Sequence, residues 1–358
     1  MELEGSHGPG GLVELASGVD MLIVSGRTSV PEEIFEELDR LRARAASREL
    51  PEPIEIGGTE FGVAERNLLK YRYRLEHRFG VVGIATGSSL PAVRVQIRSE
   101  FLHSLGPRDA LRWFTSRLEQ WLGPIFWTIS RIDLHADFQG WDLGHADLEC
   151  LVSRARNRTL HDANPDWNGF SFGVRGSGTI SCRIYNKTAE IAKKGGDYWF
   201  SVWGKRFDPV LPAIRVEFEL HRDVLRQFQI LTPDEALDAA GALWMYLTQT
   251  WLTHQTPTAD ATKARWPISE QWGAVQRARL MDTTVPMERI LKAGQAAQYE
   301  RLIQGLGGYL VSLAALRDVQ TTRGVIALVP DALRDWEHQS KKTFNERVEQ
   351  RLDEWRYR

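Results

Sequence analysis

Three stretches of this chain put reactive side chains on every second residue. Arg131, Asp133, His135 and Asp137 alternate with Ile132, Leu134 and Ala136. Ser181, Arg183, Tyr185 and Lys187 alternate with Cys182 and Ile184, and Arg215, Glu217, Glu219 and His221 alternate with Ile214, Val216, Phe218 and Leu220. A strand has a period of two, so each stretch has one face for a core and one face for chemistry. If the three share a sheet, four carboxylates, two histidines, a phenol and several cations meet on one surface. Alternate strand residues stand about 6.6 Å apart, and like charges that close repel unless something neutralises them. A hard divalent cation, Mg2+ or Mn2+, on Asp133, Asp137, Glu217 and Glu219 would do so. The alternative is a set of cross-strand ion pairs with Arg131, Arg183 and Arg215.

Tyr185 shifts the balance toward a metal-and-phosphate site. A phenol titrates near about 10, so it attacks poorly unless neighbours favour its anion. Arg183 and Lys187 flank it, and Arg215 would share in stabilising charge that develops on phosphorus. A tyrosine–phosphate ester keeps the energy of the broken bond and allows rejoining, whereas hydrolysis does not. His135 suits a metal ligand or a proton shuttle, or is simply exposed.

The elements that must position these residues are partly legible. Met21 to Val24 reads as a buried strand between Gly18 and Gly26, and Val93 to Ile97 as another. Pro31 opens a helix to about Ser47, acidic at its start and basic at its end. Arg108 to Leu122 is amphipathic, and a helix is expected from about Gly144 to Ala155, followed by a polar loop from His161 to Asn168. The glycines from 173 to 178 precede a strand rather than open a helix, so they read as a hairpin turn and not as a phosphate loop. Beyond Thr232 the chain reads as helices, over Pro233–Leu252, Met287 to about Asp318, and Asp331–Trp355. Pro257 and Pro267 place a boundary near residue 255. The expectation is an α+β fold: a flexible start over 1–17, a mostly antiparallel sheet with helices on one face over 18–255, and a helical C-terminal region over 256–358.

Of the 358 residues 42% are hydrophobic, enough for a core, and the formal net charge of -2 gives no global basic signature. Nucleic-acid binding must then come from local patches. The segments are Arg40–Arg48, Arg154–Arg158, and Arg66 to Arg78, where Arg66, Lys70, Arg72, Arg74 and Arg78 interleave with Tyr71, Tyr73 and His77. The last resembles a single-strand binding surface, or else an ordinary solvated helix. The 13 tryptophans suit both core and base stacking. Two cysteines, Cys150 and Cys182, are too few for a disulfide scaffold or thiolate zinc site. No apolar run reaches the ~20 residues of a membrane helix, and the start does not read as a signal peptide, so a soluble cytoplasmic protein without membrane contact is expected.

In order and spacing, the three stretches resemble the replication initiation factor family, the rolling-circle initiators of plasmids and their conjugative and phage relatives. The matching segments are Ser130 to Asp137, Cys182 to Lys187 with Glu190, and Ile214 to Leu220, with the opening strand at Val19-Asp20-Met21-Leu22. The resemblance covers roughly residues 18 to 255. It implies an origin-specific, metal-dependent nickase in which Tyr185 attacks single-stranded or melted origin DNA and Asp133, Asp137, Glu217 and Glu219 serve the metal. It also implies a homodimer, with a helicase or accessory DNA-binding protein as a further partner. No His-hydrophobe-His pair is present, so His135 is the only histidine expected near the metal. A conjugative relaxase and a non-catalytic DNA-binding regulator are the alternatives. Transfer genes nearby would favour the relaxase.

Overall fold

In this computed structural model, residues 11–163, 166–176, 179–280, 291–340 and 343–349 are described. The three reactive stretches become neighbours inside an eleven-stranded sheet. Its strands are β1 (Val13–Arg27), β2 (Glu52–Ile56), β3 (Thr59–Ala64), β4 (Tyr73–His77), β5 (Gly80–Ile84), β6 (Val93–Ile97), β7 (Phe126–Gln139), β9 (Arg158–Ala163), β10 (Asp166–Phe172), β11 (Ile180–Asn186) and β12 (Ile214–His221). The order is β2-β3-β4-β5-β6-β1-β7-β12-β11-β10-β9, antiparallel throughout. A separate pair joins β8 (Leu151–Ser153) to β13 (Leu252–His254).

Period two sorts the sheet into faces. Leu22 and Val24, Val93 and Val95, Ile132 and Leu134, Val216 and Phe218, and Cys182 and Ile184 all enter one core. Helices α1 (Glu32–Arg48), α2 (Ser99–Leu105) and α3 (Pro107–Leu122) supply Leu38 and Leu41, Phe101, and Phe114 and Leu118 to that core. Each such side chain contributes on the order of 1.5–3 kcal/mol when fully buried. The apolar period of α1 and α3 at 3.6 residues fits that role.

Further short helices follow: α4 (Asp147–Cys150), α5 (Lys187–Lys194), α6 (Tyr198–Trp203), α7 (Arg222–Gln227), α8 (Pro233–Asp238), α9 (Ala240–Tyr246) and α10 (Glu270–Gln276). Most helices serve the apolar face. Leu15, Ile191, Trp199, Trp203 and Ala213 form a second, small apolar cluster with α5 and α6. From α6, Trp199 packs on Arg215 and Trp203 donates to Asp137, so this helix covers part of the polar face.

Several elements differ from expectation. β1 starts at Val13, inside the stretch expected to be a flexible tail. The helix expected over 144–155 is one short turn, because Leu151–Ser153 pairs with Leu252–His254 and tertiary pairing overrides local propensity. The expected loop from 161 to 168 overlaps β9, the edge strand, and β10 beside it, whose Phe170 and Phe172 enter the core. The expected helix over 233–252 is divided into α8, α9 and a wide turn at Leu247–Trp251.

The chain divides into two compact units, Met1–Ile290 and Leu291–Arg358. Trp272, Val275 and Leu280 belong to the core of the first, beyond the boundary expected near residue 255. The second holds α11 (Leu291–Leu316) and α12 (Thr322–Ser340). Asp318 turns left-handed after α11 (φ 53°) and lets the Val319 N–H return to Ala314 O at 2.9 Å. Among the described residues no helix is long and apolar enough to cross a membrane.

Candidate functional site

The polar face of the central strands is a grid set by register. Tyr185 stands opposite Arg215, which stands opposite Asp137. The next row is Arg183, Glu217 and His135, and the next is Ser181, Glu219 and Asp133. The face is buried: Arg215 and His135 are 0% exposed and Tyr185 is 9% exposed.

Each acid expected to hold a metal is engaged by an arginine. Asp137 takes two bonds from Arg215, at 2.6 Å from Nε and 2.8 Å from Nη2, and a third from Trp203 Nε1 at 2.8 Å. Burial opposes its charge, but Arg215 and His135 hold its carboxyl far below the ordinary range. Arg131 bonds both Asp133, at 2.7 Å, and Glu219, at 2.6 Å. Burial, with Glu217 and Glu219 adding to it, outweighs Arg131 and pushes Asp133 up to about 7. Glu219 also accepts from Gly176 N–H at 2.8 Å, which ties the hairpin turn to the face. Glu217 accepts from Arg183 Nη2 at 2.6 Å.

The Tyr185 hydroxyl donates to Glu217 Oε2 at 2.9 Å. Burial and then the Glu217 charge raise the phenol well above its ordinary value. The Arg183 guanidinium lies 4.8 Å and the Lys187 ammonium 5.8 Å from the Tyr185 ring centre. Lys187 is the first residue of α5 and pairs with Glu190 at 2.6 Å. Gly169 faces Tyr185 across the strand pair, and a Cβ there would lie 2.7 Å from Tyr185 Cα. Only a glycine permits that approach.

A different set of residues could hold a metal. One ligand atom each from Asp20, His103 and His135 lies within 4.8 Å of the other two. The Nε2 atoms of His103 and His135 face each other at 2.9 Å, and His135 Nδ1 lies 3.3 Å from Asp137 Oδ1. A proton on Nδ1 shared with that carboxylate leaves Nε2 of His135 as a lone pair, the arrangement that orients a metal-binding histidine. Burial, and then His135, lower His103 to about 3, so its imidazole is neutral and able to ligate. Burial opposes the Asp20 charge, but Arg215, at 2.8 Å, His135 and Lys187 outweigh it and keep Asp20 ionised.

Asp20 and His103 were invisible to strand parity. The pairing of β1 with β7 slips between Val19 and Met21, so Asp20 is the extra residue of a bulge that re-aims its side chain. Its place in the Val19-Asp20-Met21-Leu22 segment was the only sequence signal. His103 arrives from α2, and Gly18, paired with His135, makes room: a Cβ there would lie 3.3 Å from the His103 ring.

The basic residues scatter. Tyr71 and Tyr73 are buried, so they offer no stacking surface. Arg72 pairs with Asp39, Arg74 with Glu76, Arg78 with Glu100 and Arg66 with Glu65, while Lys70 is exposed. Arg215 does not reach solvent. A cleft of about 610 Å3 opens beside His103, with Arg206 and Arg279 among its lining residues.

No family model and no curated protein matches the chain. Among solved structures it is similar to the rolling-circle replication initiator protein from Geobacillus stearothermophilus. Identity is 18%, the TM-score is 0.45, and the match covers 76% of this chain and 100% of that one.

Proposed function

We propose that this chain nicks and rejoins DNA at a replication origin, with Tyr185 as nucleophile and a divalent metal at Asp20, His103 and His135. The observation that carries the reading is the 2.9 Å bond from the Tyr185 hydroxyl to Glu217, on the face that also bears the two-histidine cluster. A phenol held protonated by burial needs a positioned acceptor to react, and Glu217 is in hydrogen-bond reach.

The donor set fits a metal, with two imidazoles and a carboxylate and with His135 oriented by Asp137. Mixed nitrogen and oxygen donors suit Mn2+ better than Mg2+, which favours oxygen alone. Bound there, the ion would polarise a phosphate oxygen.

The chain's own residues supply the rest. Glu217 takes the phenolic proton as the Tyr185 oxygen bonds to phosphorus. The bond from phosphorus to the 3′ oxygen breaks, and that oxygen leaves as a hydroxyl with the proton Glu217 took. The 5′ phosphate stays on Tyr185, ready for the reverse reaction. Arg183 holds Glu217 in place and, with Lys187, balances negative charge beside the ring.

The test is a denaturing gel of the protein incubated with Mn2+ and single-stranded DNA carrying the inverted repeat nearest its gene. A covalent adduct that disappears in Tyr185→Phe supports the reading. Cleavage that persists in Tyr185→Phe without an adduct means water is the nucleophile. No cleavage with any divalent metal removes the enzyme reading and leaves a DNA-binding regulator.

A further inference from the structure

The polar face continues past the acids into a group of arginines. Arg94 on β6 stands opposite Ser25 on β1, and Arg27 ends β1 two residues on. His221, the last residue of β12, stands opposite Arg131, and α7 follows at once with Arg222 and Arg226. These arginines share a neighbourhood: Arg222 feels the charges of Arg226 and Arg27, and Arg94 feels that of Arg131. Tyr71 neighbours both Arg94 and Arg222.

None of Arg27, Arg94, Arg222 and Arg226 makes a salt bridge among the described residues, in contrast to Arg66, Arg72, Arg74 and Arg78. Asp223, next in the chain, offsets only part of the repulsion at Arg222. Arg94 and Arg222 are half-buried, and the Arg94 Nε is buried with no partner. Burial pulls both guanidiniums below their ordinary value, and Arg131 at one and Arg226 with Arg27 at the other add to it. Half-burying like charges without an acid costs free energy, which an incoming anion would recover.

We propose that Arg27, Arg94, Arg222 and Arg226 form a phosphate platform that holds the backbone of a nucleic-acid strand on the polar face of the sheet. Arg131, which bonds Asp133 and Glu219, joins the platform to the acid rows, so a strand lying there runs toward Tyr185. The choice of nucleic acid as the anion rests on the nicking reading; the platform itself rests on the unpaired charges.

The experiment separates the two. Binding of a fluorescent single-stranded oligonucleotide is measured by anisotropy across a salt series, without metal, in a Tyr185→Phe background. Each phosphate deprived of its guanidinium should flatten the slope of log Kd against log salt by about 0.7. Arg27→Gln with Arg226→Gln, both at exposed positions, should flatten it by the equivalent of one to two phosphates, and adding Arg94→Gln and Arg222→Gln should flatten it further. Arg66→Gln with Arg72→Gln should leave it unchanged. The melting temperature of the quadruple variant should stay level or rise, because repelling charges are removed; a purely structural role would lower it. An unchanged slope in the exposed pair, or no binding by the parent protein, overturns the platform. A flattened slope in a protein that never forms an adduct keeps the platform and removes the nicking reading.

Discussion

At the scale of single residues, the two histidines set the candidate metal site apart, because every carboxylate on the face, Asp20 included, already accepts from an arginine. Asp133, Asp137, Glu217 and Glu219 each accept from an arginine at 2.8 Å or less. A metal on those four acids would have to displace such bonds and would gain no imidazole pair, whereas beside Asp20, which Arg215 and Ser99 also bond, the Nε2 atoms of His103 and His135 have, among the described residues, each other as hydrogen-bond partners. His103→Ala should therefore lower Mn2+ affinity more than about 10-fold, measured by titration calorimetry. Glu219→Gln should leave it within about twofold. The reverse outcome would return the metal to the acid rows.

At the scale of elements, the close approach of β10 to β11 sets where the phenol stands. Gly169 has φ +133°, and a Cβ there would fall 2.1 Å from the Ile184 carbonyl oxygen. Gly169→Ala should destabilise the chain by about 1–3 kcal/mol. It should also cut adduct formation more than Gly144→Ala, a position with open space around it. Equal urea midpoints for the two variants would mean β10 does not constrain Tyr185. The same scale explains the basic segment from Arg66 to Arg78. In β4 the period of two sends Tyr73 and Leu75 inward and leaves Arg74 and Glu76 outside, so aromatics and cations adjacent in sequence part to opposite faces.

At the scale of the whole molecule, the polar face makes stability depend on pH in two directions. Burial opposes the charges of Glu219 and Glu190. His221, Gly176 and Arg131 at the first, and Lys187 and Lys194 at the second, outweigh it and hold both at about 2, against 4.5 for a free glutamate. Their contribution is complete above pH 4.5 and is lost as pH falls from there toward 2. Asp133 runs the other way. Its folded value of about 7 against 3.8 means the folded state holds an extra proton between those values, so stability falls as pH rises through that window. His103, held at about 3 against 6.5 by burial and then His135, adds stability as pH rises over nearly the same span and offsets Asp133. The urea midpoint should therefore drop steeply below about pH 4.5 and stay nearly level from there to about 6.5. Asp133→Asn should turn the level limb into a rise with pH and leave the steep one.

How much of this was legible follows from what alternation can encode. The strands at 131–137, 180–186 and 214–220, the helix from 32, the helix to 122 and the hairpin turn after Gly173 all carry their period or punctuation in adjacent residues. Each local pattern therefore fixed which side chains share a face. Local patterning did not decide which of those side chains neutralise one another, because ion pairing depends on strand order and register between segments up to 195 residues apart. Nor did it disclose Asp20, whose bulge interrupts the very period being read, or His103, which reaches the sheet from a helix with no alternation. Chemistry on one strand is written in sequence; chemistry that needs a bulge, a helix and a strand to meet exists only once the chain has folded.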